Sequence, residues 1–197
     1  MWTMQKTREL LIDVARQLFT LKGVARTTMS DIANASEKGR RTVYTYFKNK
    51  KEIYNAVIEE EADQMVSSLS DIMKKNIPED EKLKEFLEIR FQRFIAPTAF
   101  ASLKAWLTFD GRRLERVQMK ARQKEQAMLN SLLDSGMAKG IFSPIRCKLL
   151  KDFVYTVLEF EDSNPPSEEE AQKRKHSIES FIKFVVTDIT TLSETKI

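Results

Sequence analysis

Glycine and proline are scarce in this chain, with five of each among 197 residues, where an average soluble protein carries roughly 12% of the two together. So few breakers leave no room for the many tight turns of a β-sandwich or barrel and predict long helices with few connections. Cysteine is nearly absent: Cys147 stands alone, so no internal disulfide can form, and a reducing compartment is expected. With one cysteine and one histidine, Cys/His metal sites are excluded. Apolar runs never exceed three residues, far short of the roughly 20 that span a bilayer, and Met1 to Lys6 lacks the apolar core of a signal peptide. A cytoplasmic protein with no membrane partner is expected. No glycine-rich phosphate loop occurs, Glu59-Glu60-Glu61 lacks the spacing of a metal site, and nothing brings Cys147 and His176 together. The chain is therefore expected to be no enzyme, with no catalytic residue, no metal and no cofactor.

What is present is unevenly placed. Residues 1–51 hold eleven Lys/Arg against four Asp/Glu, a surplus of seven, whereas the remainder holds 22 against 25. All the excess positive charge thus lies in the first quarter, where a polyanionic partner or a solvated basic surface would account for it.

Periodicity divides the chain into about nine helices and no convincing strand. Leu11, Val14/Ala15 and Leu18/Phe19 keep helical spacing up to Gly23, which reads as the residue just past a helix end. Thr28-Met29-Ser30-Asp31 fits a capping box for a short helix to about Ala35. Ser36-Glu37-Lys38-Gly39 reads as a glycine-containing tight turn, after which Arg40 to Phe47 resumes with Val43 and Phe47 on one face. Two short helices joined this way form a helix-turn-helix. Asn49 then caps a long helix that ends before Pro78. Further helices are expected from Pro78 to Pro97, from Ala99 to Phe109, from Arg113 to Ser135 with a stop at Gly136, from the Ser143-Pro144 cap, and from the Ser167-x-x-Glu170 box. The architecture is all-α: a three-helix helix-turn-helix DNA-binding domain over residues 1–49, coupled through the fourth helix to a helical regulatory and dimerisation domain over 50–197.

The helix from Arg40 carries chemistry suited to a DNA groove. With Val43 and Phe47 packed inward, it presents Arg40, Arg41, Thr42, Tyr44, Thr45 and Tyr46, followed by Lys48 and Lys50. Long donors at the N-terminal end of such a helix suit base edges, and hydroxyls along its flank suit phosphate oxygens. Arg40 or Arg41 could fork onto guanine O6 and N7. Lys50 reads as a phosphate clamp, with Thr28 and Lys38 as further contacts. The structural alternatives are surface packing for Tyr44 and Tyr46, a solvated run for Lys48, Lys50 and Lys51, and a capping role for Thr28.

Thr27-Thr28-Met29-Ser30-Asp31-Ile32-Ala33, followed by Thr42-Val43-Tyr44-Thr45-Tyr46-Phe47-Lys48-Asn49-Lys50-Lys51-Glu52-Ile53, resembles the N-terminal domain of TetR/AcrR-type bacterial transcriptional regulators. That pattern reads approximately T-T-x-x-D-I-A, a turn, then T-L-Y-x-Y-F-x-x-K-E-x-L, and the likeness covers residues 8–57. The resemblance implies a homodimer on palindromic double-stranded DNA, released by a small-molecule effector bound in the C-terminal body. It also implies DNA contacts at Arg40, Thr42, Tyr44, Thr45, Tyr46 and Lys50. Where the family usually has Ala-Gly-Val-Ser in the turn, this chain has Ser36-Glu37-Lys38-Gly39, and Arg41 stands at a position that is often glycine.

In the body, Phe91, Phe94, Trp106, Met128 and Phe153 are candidates to line an apolar ligand pocket, though an aromatic stripe at this spacing equally serves plain core. Phe153, Val157, Phe181 and Val185 are candidates for a dimer interface built from the last two helices of each copy. Two other readings remain: the same fold with a protein-interaction body and no effector, or a non-specific architectural DNA binder.

Overall fold

The computed structural model describes residues 2–92, 111–159 and 168–190. Among the described residues there are eight helices and no strand: α1 (Trp2–Lys22), α2 (Met29–Ala35), α3 (Arg40–Tyr46), α4 (Lys50–Lys74), α5 (Glu79–Gln92), α6 (Gly111–Ala138), α7 (Pro144–Glu159) and α8 (Glu168–Thr190). The all-α expectation holds. The helix expected over Ala99–Phe109, the stop at Pro97 and the box at Ser167 lie outside the described residues.

The described residues form two compact units, one of residues 2–63 with 111–118, the other of 64–92, 119–159 and 168–190. In the first, Leu11, Ala15 and Phe19 of α1, Ile32 of α2, Val43 of α3 and Ile53 and Val57 of α4 share one buried cluster. Each of the Leu, Ile, Val and Phe side chains contributes roughly 1.5–3 kcal/mol by leaving water. Phe19 and Tyr54 meet edge to face at 5.8 Å between centroids, and the Arg8 guanidinium lies 5.3 Å over the buried Phe47 ring. Arg16 reaches Asp13 on its own helix and Glu60 and Glu61 on α4. The basic α1 is thereby tied to the acidic stretch of α4.

In the second unit, Leu69 and Ile72, Leu83, Phe86 and Leu87, Leu129, Leu132 and Leu133, Val154, and Ile182 and Ile189 build a separate core from α4 to α8. Within it Arg90 and Glu125 form an ion pair of 2.6 Å, with Arg90 only 1% exposed and Glu125 5%. Glu79, at the start of α5, is buried beside Lys139, which follows α6, and Ser135 of α6, whose donors hold its carboxyl below the usual range.

Gly23 has the positive φ expected just past α1, and Gly140 takes the same left-handed conformation just past α6. One glycine expectation needs correction. Gly136 does not stop α6, which continues to Ala138; its missing Cβ instead admits the Phe142 ring. In the turn after α2 the left-handed residue is Glu37 (φ 53), while Gly39 has the ordinary φ of −62° at the N-cap of α3. The Glu37 N–H bonds the Asn34 carbonyl and the Lys38 N–H bonds the Ala33 carbonyl, which is a Schellman motif and requires its C′ residue to be left-handed.

Candidate nucleic-acid interface

The head of the first unit is fixed by its caps. The Thr28 hydroxyl accepts from the Asp31 N–H, and the Asp31 carboxylate accepts from both the N–H and the hydroxyl of Thr28, closing the expected capping box. Those two donors hold the Asp31 carboxyl below its ordinary range. At the start of α4, Asn49 Oδ1 accepts from the Glu52 N–H, and the Glu52 carboxylate reaches back to the Lys48 N–H. The short α3 is thus bounded by a Schellman turn before it and a capped helix after it.

On α3, Val43 is buried and Arg40, Arg41, Tyr44 and Thr45 are exposed, with Tyr44 at 52%. Thr42 and Lys38 are half-buried, Thr28 is exposed, and Tyr46 leans against the first core. The structure therefore brings Arg40, Arg41, Tyr44 and Thr45 onto one short helix beside Thr28 and Lys38, and turns Tyr46 partly inward. Arg40 donates to the Ser30 hydroxyl on α2, a tie between the two helices that sequence reasoning missed. Thr45 donates its hydroxyl proton to the Arg41 carbonyl one turn back.

Lys50 has a different role from the one expected. Its ammonium donates to the carbonyls of Val24 (2.8 Å), Ala25 (3.2 Å) and Thr27 (2.8 Å), while burial lowers its affinity for the proton. An ammonium has three N–H donors. Those carbonyls account for three, so in this structure Lys50 ties the α1–α2 loop to α4 instead of clamping a phosphate. Thr27 completes the tie from within the core, its hydroxyl donating to the Gly23 and Leu18 carbonyls. Lys50→Met should destabilise the first unit by about 1–2 kcal/mol, the worth of charged hydrogen bonds at a half-exposed site. Denaturant unfolding checks this; unchanged stability with a salt slope of DNA binding reduced by about one would restore the clamp.

The second unit carries the other expected sites. Phe91 is buried in its core against Phe181 (5.8 Å, edge to face), and Met128 packs on the same cluster. Phe94, Trp106 and the side chain of Val157 lie outside the described residues. Phe153 is exposed at the surface and so does not line an internal pocket; it stacks on half-buried Phe181 at 4.9 Å. Around that pair, Leu149, Phe184 and Val185 line an open groove of about 210 Å³ between α7 and α8. Ile145, Leu149 and Phe184 are 72%, 65% and 68% exposed, and Phe184 was not among the expected interface residues. It sits one turn from Phe181, on the outward side of α8. Cys147 is buried, which pushes its thiol up, and His176 is exposed.

A helix-turn-helix whose third helix exposes cations and hydroxyls has the surface of a DNA-binding module. Residues 11–57 match the family model of bacterial regulatory proteins, tetR family. The uncharacterized HTH-type transcriptional regulator YhgD of Bacillus subtilis (strain 168) is 23% identical over 172 residues, 83% of this chain and 88% of that one. A solved transcriptional regulator from Cytophaga hutchinsonii superposes with a TM-score of 0.71 at 21% identity, covering 93% of this chain and 98% of that one. FadR of Bacillus subtilis, solved with stearoyl-CoA, superposes with a TM-score of 0.61 at 18% identity over 93% and 97%. The likeness to the solved structures concerns the fold. The resemblance to TetR/AcrR-type transcriptional regulators is thus shown, through the tetR-family match over residues 11–57 and a fold shared along most of the chain. Among its described residues no helix is long and apolar enough to cross a membrane.

Proposed function

We propose that this regulator is a homodimeric repressor that binds a palindromic operator through two copies of the helix-turn-helix and is released by an apolar small molecule held in the second unit. The observation that carries the reading is the outward face of α3, where Arg41, Tyr44 and Thr45 are exposed together on the helix whose opposite face holds Val43 in the core. Arg40, Thr42, Lys38 and Thr28 flank that face as the phosphate-contacting set, with Tyr46 at its inner edge. The residue ranges 1–49 and 50–197 serve as the DNA-binding and regulatory domains in this reading.

The dimer part rests on the α7/α8 face. Ile145, Leu149, Phe153 and Phe184 form an exposed apolar patch of a kind monomeric proteins seldom keep bare. A second copy presenting the same face would bury it as a four-helix interface, with Phe181 and Val185 beneath and the Arg146–Asp188 pair at the rim. The effector part draws on the apolar second core around Phe91 and on FadR, a protein of the same fold that was solved with stearoyl-CoA.

One selection experiment tests the reading. Duplexes enriched from a random pool at fixed salt should share a palindrome whose half-sites lie one helical turn, or a multiple, apart. The selected duplex should also be released by members of a library of apolar metabolites. A single unpaired half-site would sink the dimer, and a pool recovered without any shared motif would leave only non-specific binding.

A further inference from the structure

Two arginines open α3, and the structure separates their roles. Arg40 donates one of its five N–H groups to the Ser30 hydroxyl, which draws its guanidinium towards α2. Arg41 is exposed, and among the described residues nothing engages its side chain. Reading guanine in the major groove takes two donors in a fork, one for O6 and one for N7. Of the side chains on the outward face, Tyr44 has a single hydroxyl, and Thr45 has already given its proton to the Arg41 carbonyl. The Lys48 ammonium is a point charge without a planar fork and stands beyond the end of α3. Arg41, second residue of α3 and one turn from Thr45, is the group that meets the requirement at the end of a recognition helix that approaches base edges.

Resting on the proposed function, we infer that Arg41 is the guanine-reading residue of this regulator, and that Arg40, positioned by Ser30, contributes to affinity without choosing a base. The operator half-site then carries a guanine that depends on Arg41 alone.

The test repeats the random-pool selection with the full-length protein and its Arg41→Ala, Arg41→Lys, Arg40→Ala and Ser30→Ala variants, each checked for helical content. Wild type should prefer guanine at one half-site position by about 5- to 150-fold, the range of one good bidentate pair. Arg41→Ala should bring that one position close to no preference while the rest of the motif persists, and Arg41→Lys should not restore it, since an ammonium lacks the fork. Arg40→Ala and Ser30→Ala should weaken binding evenly and keep the guanine. A motif whose guanine survives Arg41→Ala, or disappears in Arg40→Ala, overturns the assignment while leaving the regulator intact. A wild-type pool with no shared motif overturns the proposed function itself.

Discussion

Glu125→Leu should destabilise the second unit by about 3–5 kcal/mol, the usual cost of removing one partner from a buried ion pair. At 2–4 °C per kcal/mol for a chain of this size, the melting temperature should fall by about 6–20 °C. Desolvation is the cause. Arg90 is 1% exposed, and its guanidinium cannot shed its charge, so the Glu125 carboxylate at 2.6 Å is a major part of what makes its burial tolerable. Leucine at position 125 fills similar space but supplies no acceptor. The double variant Arg90→Met with Glu125→Leu removes both charges from the same core and should recover most of the loss, because a well-packed apolar pair is often as stable as the ion pair it replaces. Thermal and denaturant unfolding of the two variants decide the matter. A single variant within about 1 kcal/mol of wild type would show that the pair is not what supports Arg90.

How much of this molecule could be read beforehand depended on the range of the interaction. Local chemistry was legible. The box at Thr28 and Asp31, the cap at Asn49, the left-handed glycine after α1 and the Ser143-Pro144 start of α7 each depend on residues within one turn, and each is where pattern placed it. The helix-turn-helix and the identity of its outward face followed from the same short-range periodicity, through Val43 and Phe47. Interactions that close over long stretches of chain were not legible. Lys50 reaches carbonyls 23 to 26 residues earlier, and Arg40 finds Ser30 ten residues away, so neither partner leaves a spacing signal. Arg90 and Glu125 sit on different helices, and a charge in an amphipathic pattern reads as solvent-facing until the neighbour is known. On α8 the pattern picked Phe181 and Val185, which are half-buried, and passed over Phe184, because an apolar stripe wider than one face does not say which edge is left bare. After α2 the pattern marked a tight turn over residues 36–39 but not its left-handed residue, which hydrogen bonding to the Ala33 and Asn34 carbonyls assigns to Glu37.

Gly136→Ala should show the same limit in its sign. Helix propensity alone favours alanine by about 1 kcal/mol at an interior helical position, and Gly136 lies inside α6, two residues before its end. The structure opposes this. A Cβ at Gly136 would fall 2.0, 2.3 and 2.7 Å from Cδ2, Cε2 and Cγ of the Phe142 ring, and that ring is 1% exposed in the second core. The approach is built by the end of α6 itself. Gly140 takes the left-handed conformation, its N–H donates to the Met137 carbonyl, and the N–H groups of Ile141 and Phe142 both donate to the Gly136 carbonyl at 2.8 and 3.2 Å. This Schellman closure folds the chain back so that Phe142 lies over Gly136, and neither the backbone bonds nor the packed ring can move aside cheaply. Overpacking of this kind costs roughly 1–3 kcal/mol and the overlap here is severe, so a net loss of about 2 kcal/mol is expected, some 4–8 °C in melting temperature. Phe142→Ala alone should cost about 3–5 kcal/mol as a cavity, but distinctly less in the Gly136→Ala background, where the methyl has room to occupy the vacated space. A double-mutant cycle by thermal unfolding measures that coupling, expected at 1 kcal/mol or more between residues in direct contact. A higher melting temperature for Gly136→Ala would mean that helix propensity wins and that the ring is not held against the glycine.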